Sequence, residues 1–226
     1  MIIKQKLGAP IKFKKAKRPS KKNLNGKHVV LEPININKHS KDLYANFSKD
    51  KENRIWAYLP YGPFKSYGSF KKWLKSFCLN KDPFFYAIYA KRHKQFCGMA
   101  SYLRITPEHG SIEVGHINYS PILQNTVEGT ETMYLMMKNA FEVLGNRRYE
   151  WKCNNLNSES KNAATRLGFK FEGIFRQMFV FKGRNRDSAW FSIIDKEWKK
   201  IKNVYKKFLK PSNFDKNQKQ KIKLKF

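Results

Sequence analysis

The stretch 124-QNTVEGT-130 lies between an alternating apolar segment and a long amphipathic one, so it reads as the loop that opens a helix. The first N–H groups of a helix have no partner inside it and lie at the positive end of its dipole. Such a turn holds phosphate without help from cationic side chains. That chemistry falls here to Gln124, Asn125, Thr126, Val127, Glu128, Gly129 and Thr130, with the N–H groups of residues 126–130 as the cradle for a pyrophosphate. The side chain of Gln124 offers one more donor, and Gly129 lets a ligand approach the backbone. The loop holds no Lys or Arg, although the chain carries a net charge of +30. No spacing of metal ligands is present and no metal is expected. The three cysteines, Cys78, Cys97 and Cys153, are scattered and odd in number, which fits reduced thiols in a cytoplasmic protein rather than a disulfide framework or a zinc site.

The elements that position this loop follow from periodicity. Strands are expected at 28–34, 83–90, 95–105, 111–120, 147–153, 169–182 and 187–194. Helices are expected at 38–49, 69–79, 158–167 and 195–209, and from the loop at 124–130 to Leu144. Met133, Met136, Met137, Ala140 and Phe141 fall on one face of that helix, and Gly145 stops it. Asn157 or Ser158 caps the helix that Gly168 ends. The order is β-α-α-β-β-β-α-β-α-β-β, which predicts an α/β (α+β) fold with a mixed, mostly antiparallel sheet of about seven strands flanked by helices. Segment 55–66 is a loop rich in aromatics, Pro and Gly. Segment 182–190 reads as a hairpin turn in which Arg184 and Arg186 either contact an acidic partner or phosphate or, as the favoured reading, serve solubility and link to Asp187.

With 226 residues, 41% of them hydrophobic and 15% aromatic, the chain suits one domain with a real core. No uncharged apolar run is long enough to span a bilayer, and the N-terminus lacks a secretory h-region. The charge is concentrated at the ends. Residues 1–27 hold ten Lys/Arg and no acid, and residues 196–226 hold twelve Lys and two acids, so the tails carry +20 of the total. The expected organisation is a basic flexible arm at 1–27, a domain at 28–194, and a basic helix with tail at 195–226. Such tails are either ordinary solvated extensions or contacts for RNA or a ribosome, with Phe13 and Phe208 as candidates for stacking on bases.

Three features resemble the GNAT acyl-CoA N-acyltransferases, and in particular the branch with the ribosomal-protein alanine acetyltransferases. The loop 124-QNTVEGTET-132 is similar to the family's Q/R-x-x-G-x-G/A turn. The stretch 157-NSESKNAATRLGFKFEG-173 is similar to its N-x-x-S…LGF…EG segment. The element order matches from about residue 28 to 194. The resemblance implies acetyl-CoA as acyl donor and direct attack by an amine on the thioester. It places the pantetheine arm between strands 111–120 and 147–153, against Ile117, Asn118, Tyr119 and Asn157. It places the acceptor at loop 55–66, with Trp56, Tyr58, Tyr61 and Phe64 as a wall. A general base is expected from Glu113, His116 or Glu150, or water alone takes the proton of an exposed amine. Strand alternation turns Glu113 and His116 to opposite sides, so only one of them can point at the cleft. Val127 stands where the family has Gly, so a β-branched residue occupies a position suited to φ > 0. Ala164 stands where many members place an acidic tyrosine, leaving Ser160 or a water as proton donor to the leaving sulfur. The implied activity is N-acetylation of a protein N-terminus, a lysine or a small amine. The alternative is a basic nucleic-acid- or ribosome-binding protein on the same fold with little catalysis.

Overall fold

A computed structural model describes residues 5–216 and 220–226. The start of the N-terminal arm (1–4) and the three tail residues 217–219 lie outside it. Among the described residues the strands are β1 (Leu24–Asn25), β2 (Val29–Pro33), β3 (Phe84–Ala90), β4 (Gln95–Thr106), β5 (Ser111–Tyr119), β6 (Arg148–Asn154), β7 (Lys170–Phe181) and β8 (Arg184–Ile194). The helices are α1 (Ile36–Phe47), α2 (Tyr67–Phe77), α3 (Val127–Lys138), α4 (Ser158–Arg166) and α5 (Asp195–Phe208). They order as one sheet, β1-β2-β3-β4-β5-β6-β8-β7, antiparallel throughout except for β5 beside β6. The expected order is present, with one strand more than the seven predicted. That strand, β1, lies inside the segment predicted as an arm. It pairs with β2 because the Glu131 carboxylate on α3 accepts the N–H groups of Lys27, His28 and Val29 at 2.9, 2.6 and 2.9 Å.

Side-chain chemistry sets the helix ends. Asn35, Ser66, Thr126 and Asn157 each accept an N–H from the first turn of the helix that they cap. Gly145 and Gly168, expected as helix stops, have φ of +76° and +93°. After Lys138, α3 widens into a π turn at Asn139–Val143.

Two apolar clusters cover the two faces of the sheet. One joins Ile112, Val114, Tyr149, Trp151, Phe191 and Ile193 to α3, α4 and α5. The other joins Phe85, Ala87, Phe96 and Met99 to α1, α2 and Trp56. Each large side chain so buried contributes about 1.5–3 kcal/mol.

The ends of the chain also touch the domain. Ala16 and Lys17 donate their N–H groups to Pro107 O and Leu144 O at 3.1 and 2.7 Å, and the Phe13 ring covers Gly110. Leu224 is buried, and the Phe226 ring lies 5.6 Å from that of Tyr205. Phe208, expected as a candidate for stacking on bases, is buried in the core. No described helix is long and apolar enough to cross a membrane.

Candidate active site

β5 and β6 pair in parallel only from Ser111/Arg148 to Val114/Trp151. Beyond that point β5 stays paired with β4 up to Tyr119, and β6 stays paired with β8 up to Asn154. The two strands therefore part, and the edge of β5 faces a gap. A cleft of about 880 Å³ occupies this gap. Its lining comes from both faces of the sheet: Asn125, Thr126, Asn157 and Arg166 on the α3–α4 side, and Tyr58, Arg104, Phe181 and Arg186 on the other.

At the N-terminus of α3, Thr126 Oγ1 takes the Gly129 N–H at 3.1 Å, and Thr126 O takes the Thr130 N–H at 3.2 Å. Those two donors are spent inside the turn. The N–H groups of Asn125, Thr126, Val127 and Glu128 have no acceptor among the described residues. The unspent donors thus run over 125–128 where the sequence suggested 126–130, and of these four residues Asn125 and Thr126 line the cleft. Asn125, at φ +57°, supplies the left-handed bend. Val127 is the first helical residue, and its side chain is buried in the core. The β-branched residue therefore does not sit at the turn's strained position. A Cβ on Gly129 would approach Leu123 O and the Tyr119 ring at 3.0 Å, so packing requires this glycine, which also lines the cleft. The side chain of Glu128 is buried, away from the gap. The Gln124 amide is turned back onto Tyr119 O at 3.0 Å.

Arg166, which sequence reasoning missed, brings a cation to this turn. From the last turn of α4 its Nη1 and Nη2 reach Thr130 Oγ1 at 3.4 and 3.5 Å, at the mouth of the cradle. Its signal was the spacing from Asn157, which puts the two at opposite ends of one short helix.

Asn157 and Ser160 both line the cleft. Asn157 Oδ1 accepts the Ser160 N–H at 3.0 Å, and Ser160 Oγ accepts Trp151 Nε1 at 3.0 Å. The Ser160 hydroxyl also meets the Cys153 thiol, so its hydrogen is shared with that sulfur. Ile117, Asn118 and Tyr119 line the open edge of β5. The Tyr119 hydroxyl donates to Gly129 O at 3.1 Å, tying that edge to α3.

Glu113 and His116 both line the cleft, which corrects the alternation argument. Between Met99/Asn118 and Ser101/Gly115 the β4–β5 register slips by one residue, and His116 has φ +49°. This bulge inserts a residue and resets the alternation. Nδ1 of His116 lies 3.0 Å from the Tyr61 hydroxyl. Burial, reinforced by Arg104 and Arg186, pushes the imidazole pKa down to about 4, so it is neutral at ordinary pH.

Glu113 accepts from Arg104 at 2.7 Å and from Lys152 at 2.9 Å. Burial nevertheless holds its pKa above the usual carboxylate value. Glu150 takes Lys152 at 2.7 Å and Arg148 at 2.6 Å; burial raises its pKa, but these two cations more than offset that and hold it low. Glu150 does not line the cleft.

The aromatic loop divides. Trp56 and Phe64 pack with Phe47, Phe70 and Trp73, and Tyr61 lies tilted against Trp73 and stacks on His116. These three form a minicore and do not line the cleft. Tyr58 does, together with Ile55, Ala57, Leu59 and Pro60. Three contacts bind this loop across the opening: Tyr58 Oη donates to Leu156 O at 3.3 Å, Arg54 meets Glu159 at 3.3 Å, and Lys182 Nζ donates to Trp56 O at 2.9 Å.

Comparison with known proteins follows the same lines. The family model for the acetyltransferase (GNAT) domain matches residues 28–170. A GCN5-related N-acetyltransferase from Brucella melitensis is 41% identical, with a TM-score of 0.90 over 92% of this chain and 95% of its own. A probable GNAT-family acetyltransferase from Chromobacterium violaceum is 38% identical, with a TM-score of 0.79 over 87% of this chain and 98% of its own. A ribosomal-protein alpha-N-acetyltransferase, RimL, in complex with coenzyme A is 18% identical and has a TM-score of 0.65 over 77% of this chain and 99% of its own, a likeness of fold. No curated protein matches the sequence.

Proposed function

The chain belongs to the GNAT acetyltransferase family, and from that premise we propose that it transfers an acetyl group from acetyl-coenzyme A to a primary amine by direct attack. The acceptor is a protein N-terminus, a lysine or a small amine. The observation that carries this reading is the parting of β5 from β6 beside a helix N-terminus with unspent N–H groups.

The residues fit such a donor. The N–H groups of Asn125–Glu128 and the Arg166 guanidinium suit its phosphates. The open edge of β5 at Ile117–Tyr119 and the side chain of Asn157 suit its pantetheine arm. When bound, coenzyme A supplies an activated thioester. In this reading the Ser160 hydroxyl turns from Cys153 to give a proton to the departing sulfur.

His116 is the side chain best suited to take the amine's proton. It is neutral, lines the cleft and is held by Tyr61. A pKa of about 4 makes it a weak base, fitted to a nitrogen made acidic by bond formation. The free amine therefore loses its first proton to solvent. Glu113 is pinned by Arg104 and Lys152 and acts as a positioning residue for both cations.

The test is calorimetric titration with acetyl-coenzyme A, followed by release of free thiol with a panel of amines. Saturable binding of one equivalent and amine-dependent release are expected. No saturable binding, or release indifferent to amine, overturns the reading.

A further inference from the structure

Four cations are strung along the face of the sheet opposite α3, and three of them are paired. Arg104 meets Glu113, Lys152 meets Glu113 and Glu150, and Arg148 meets Glu150 and Glu172. Arg186 is the exception. Its Nε donates to Ser188 Oγ at 3.2 Å, which orients the guanidinium. Its Nη1 and Nη2 have no acceptor among the described residues. The group lies over the rings of Phe181 and Phe179, at 4.7 and 5.5 Å. Arg104 shares the Phe179 ring at 5.7 Å, so two like charges converge there. Asp187, expected as the partner of this arginine, is taken by the Gln177 N–H and Asn185.

A half-buried guanidinium with its outer fork free fits a planar or tetrahedral anion bidentately. Asn118 points to a ligand independently. It is 3% exposed, it lines the same cleft, and both atoms of its amide are buried without a partner. Buried amides are normally satisfied. Placing a polyamine here would set cation against cation.

We propose that Arg186 is the anion anchor of the acceptor site, so that the acceptor carries a carboxylate or phosphate group a few bonds from its reacting amine. This rests on the reading that the cleft passes an acyl group to an amine. Asn118 supplies a neutral donor and acceptor for the polar groups of the same molecule.

The test uses the full chain, first shown by calorimetry to bind coenzyme A and then saturated with it. Matched probes are titrated: 3-aminopropanoate against 3-aminopropanamide, and 2-aminoethyl phosphate against 2-aminoethanol. In at least one pair the anionic member is expected to bind about tenfold more tightly, the scale of one charge-assisted contact. The pair with the larger ratio identifies the anion. In Arg186→Gln that ratio falls to near one, while Arg186→Lys, which keeps the charge but loses the fork, retains part of it. Equal binding within both pairs, no binding of either anionic probe, or a ratio that survives in a folded Arg186→Gln overturns the proposal. Failure to bind coenzyme A overturns the acyltransfer reading instead.

Discussion

The Tyr61 hydroxyl lies 3.0 Å from Nδ1 of His116, and the two rings stack 5.6 Å apart at 20°. The aromatic loop thus meets the cleft twice, through Tyr58 and its neighbours on the wall and through Tyr61 behind His116. His116→Gln is expected to lower kcat by about 10²-fold, the usual scale for a positioned proton acceptor. Because the imidazole stays neutral down to about pH 4, the wild-type rate should show no inflection between pH 6 and 7. It should climb toward the pKa of the acceptor amine. A rate–pH profile checks both points, and an inflection near 6.5 that vanishes in His116→Gln would contradict them.

The same group sets a stability slope. Its folded pKa, about 4, is below the ordinary 6.5. As pH falls below 6.5 the unfolded chain takes up a proton that the folded chain refuses, so stability falls until about pH 4. The loss approaches about 3 kcal/mol at the lower end. Denaturant melts of wild type and His116→Gln across pH 7 to 4 should diverge in slope by that order.

Val127→Gly, which restores the glycine usual in the family, is expected to harm the protein. The valine side chain is core and the residue opens α3, so the change costs about 2 kcal/mol through lost burial and helix propensity. Affinity for coenzyme A, measured by calorimetry, should not improve. A tighter complex would mean that Val127 does restrict the turn.

Arg166→Ala should weaken coenzyme A about tenfold and flatten the salt dependence of binding, because it removes the cation that reaches Thr130 beside the α3 N-terminus. Its melting temperature should change little.

Glu131→Gln tests the device that fixes β1. The carboxylate takes three N–H groups from residues 27–29, and the neutral amide presents one acceptor oxygen in its place. A loss of about 2–3 kcal/mol is expected, with faster amide exchange at Lys27, His28 and Val29. Unchanged exchange would remove Glu131 from that role.

Much of this was legible in the chain. Periodicity located the five helices and seven strands to within a few residues, because each buries one apolar face. Gly145 and Gly168 marked helix ends because both need positive φ. What escaped were features set by tertiary contact. The bulge at His116 leaves no trace in composition, and it reversed which side chains share the cleft. β1 is two residues long and exists because Glu131 caps its turn from a distant helix. Tyr61 and Phe64 look the same in sequence whether they line a pocket or fill a core. Arg186 could be read as a soluble turn residue because its neighbour Asp187 looked available.

The three contacts that bind loop 54–60 to residues 156–159 and to Lys182 tie opposite rims of the cleft together. On the acyl-transfer reading, a donor held at α3 and an acceptor held at Arg186 lie on opposite sides of those ties. A single molecule joining both, such as a coenzyme tethered to an amine analogue, would have to pass beneath them. Its association should be slow and its departure slower, and breaking the Lys182–Trp56 link should speed both.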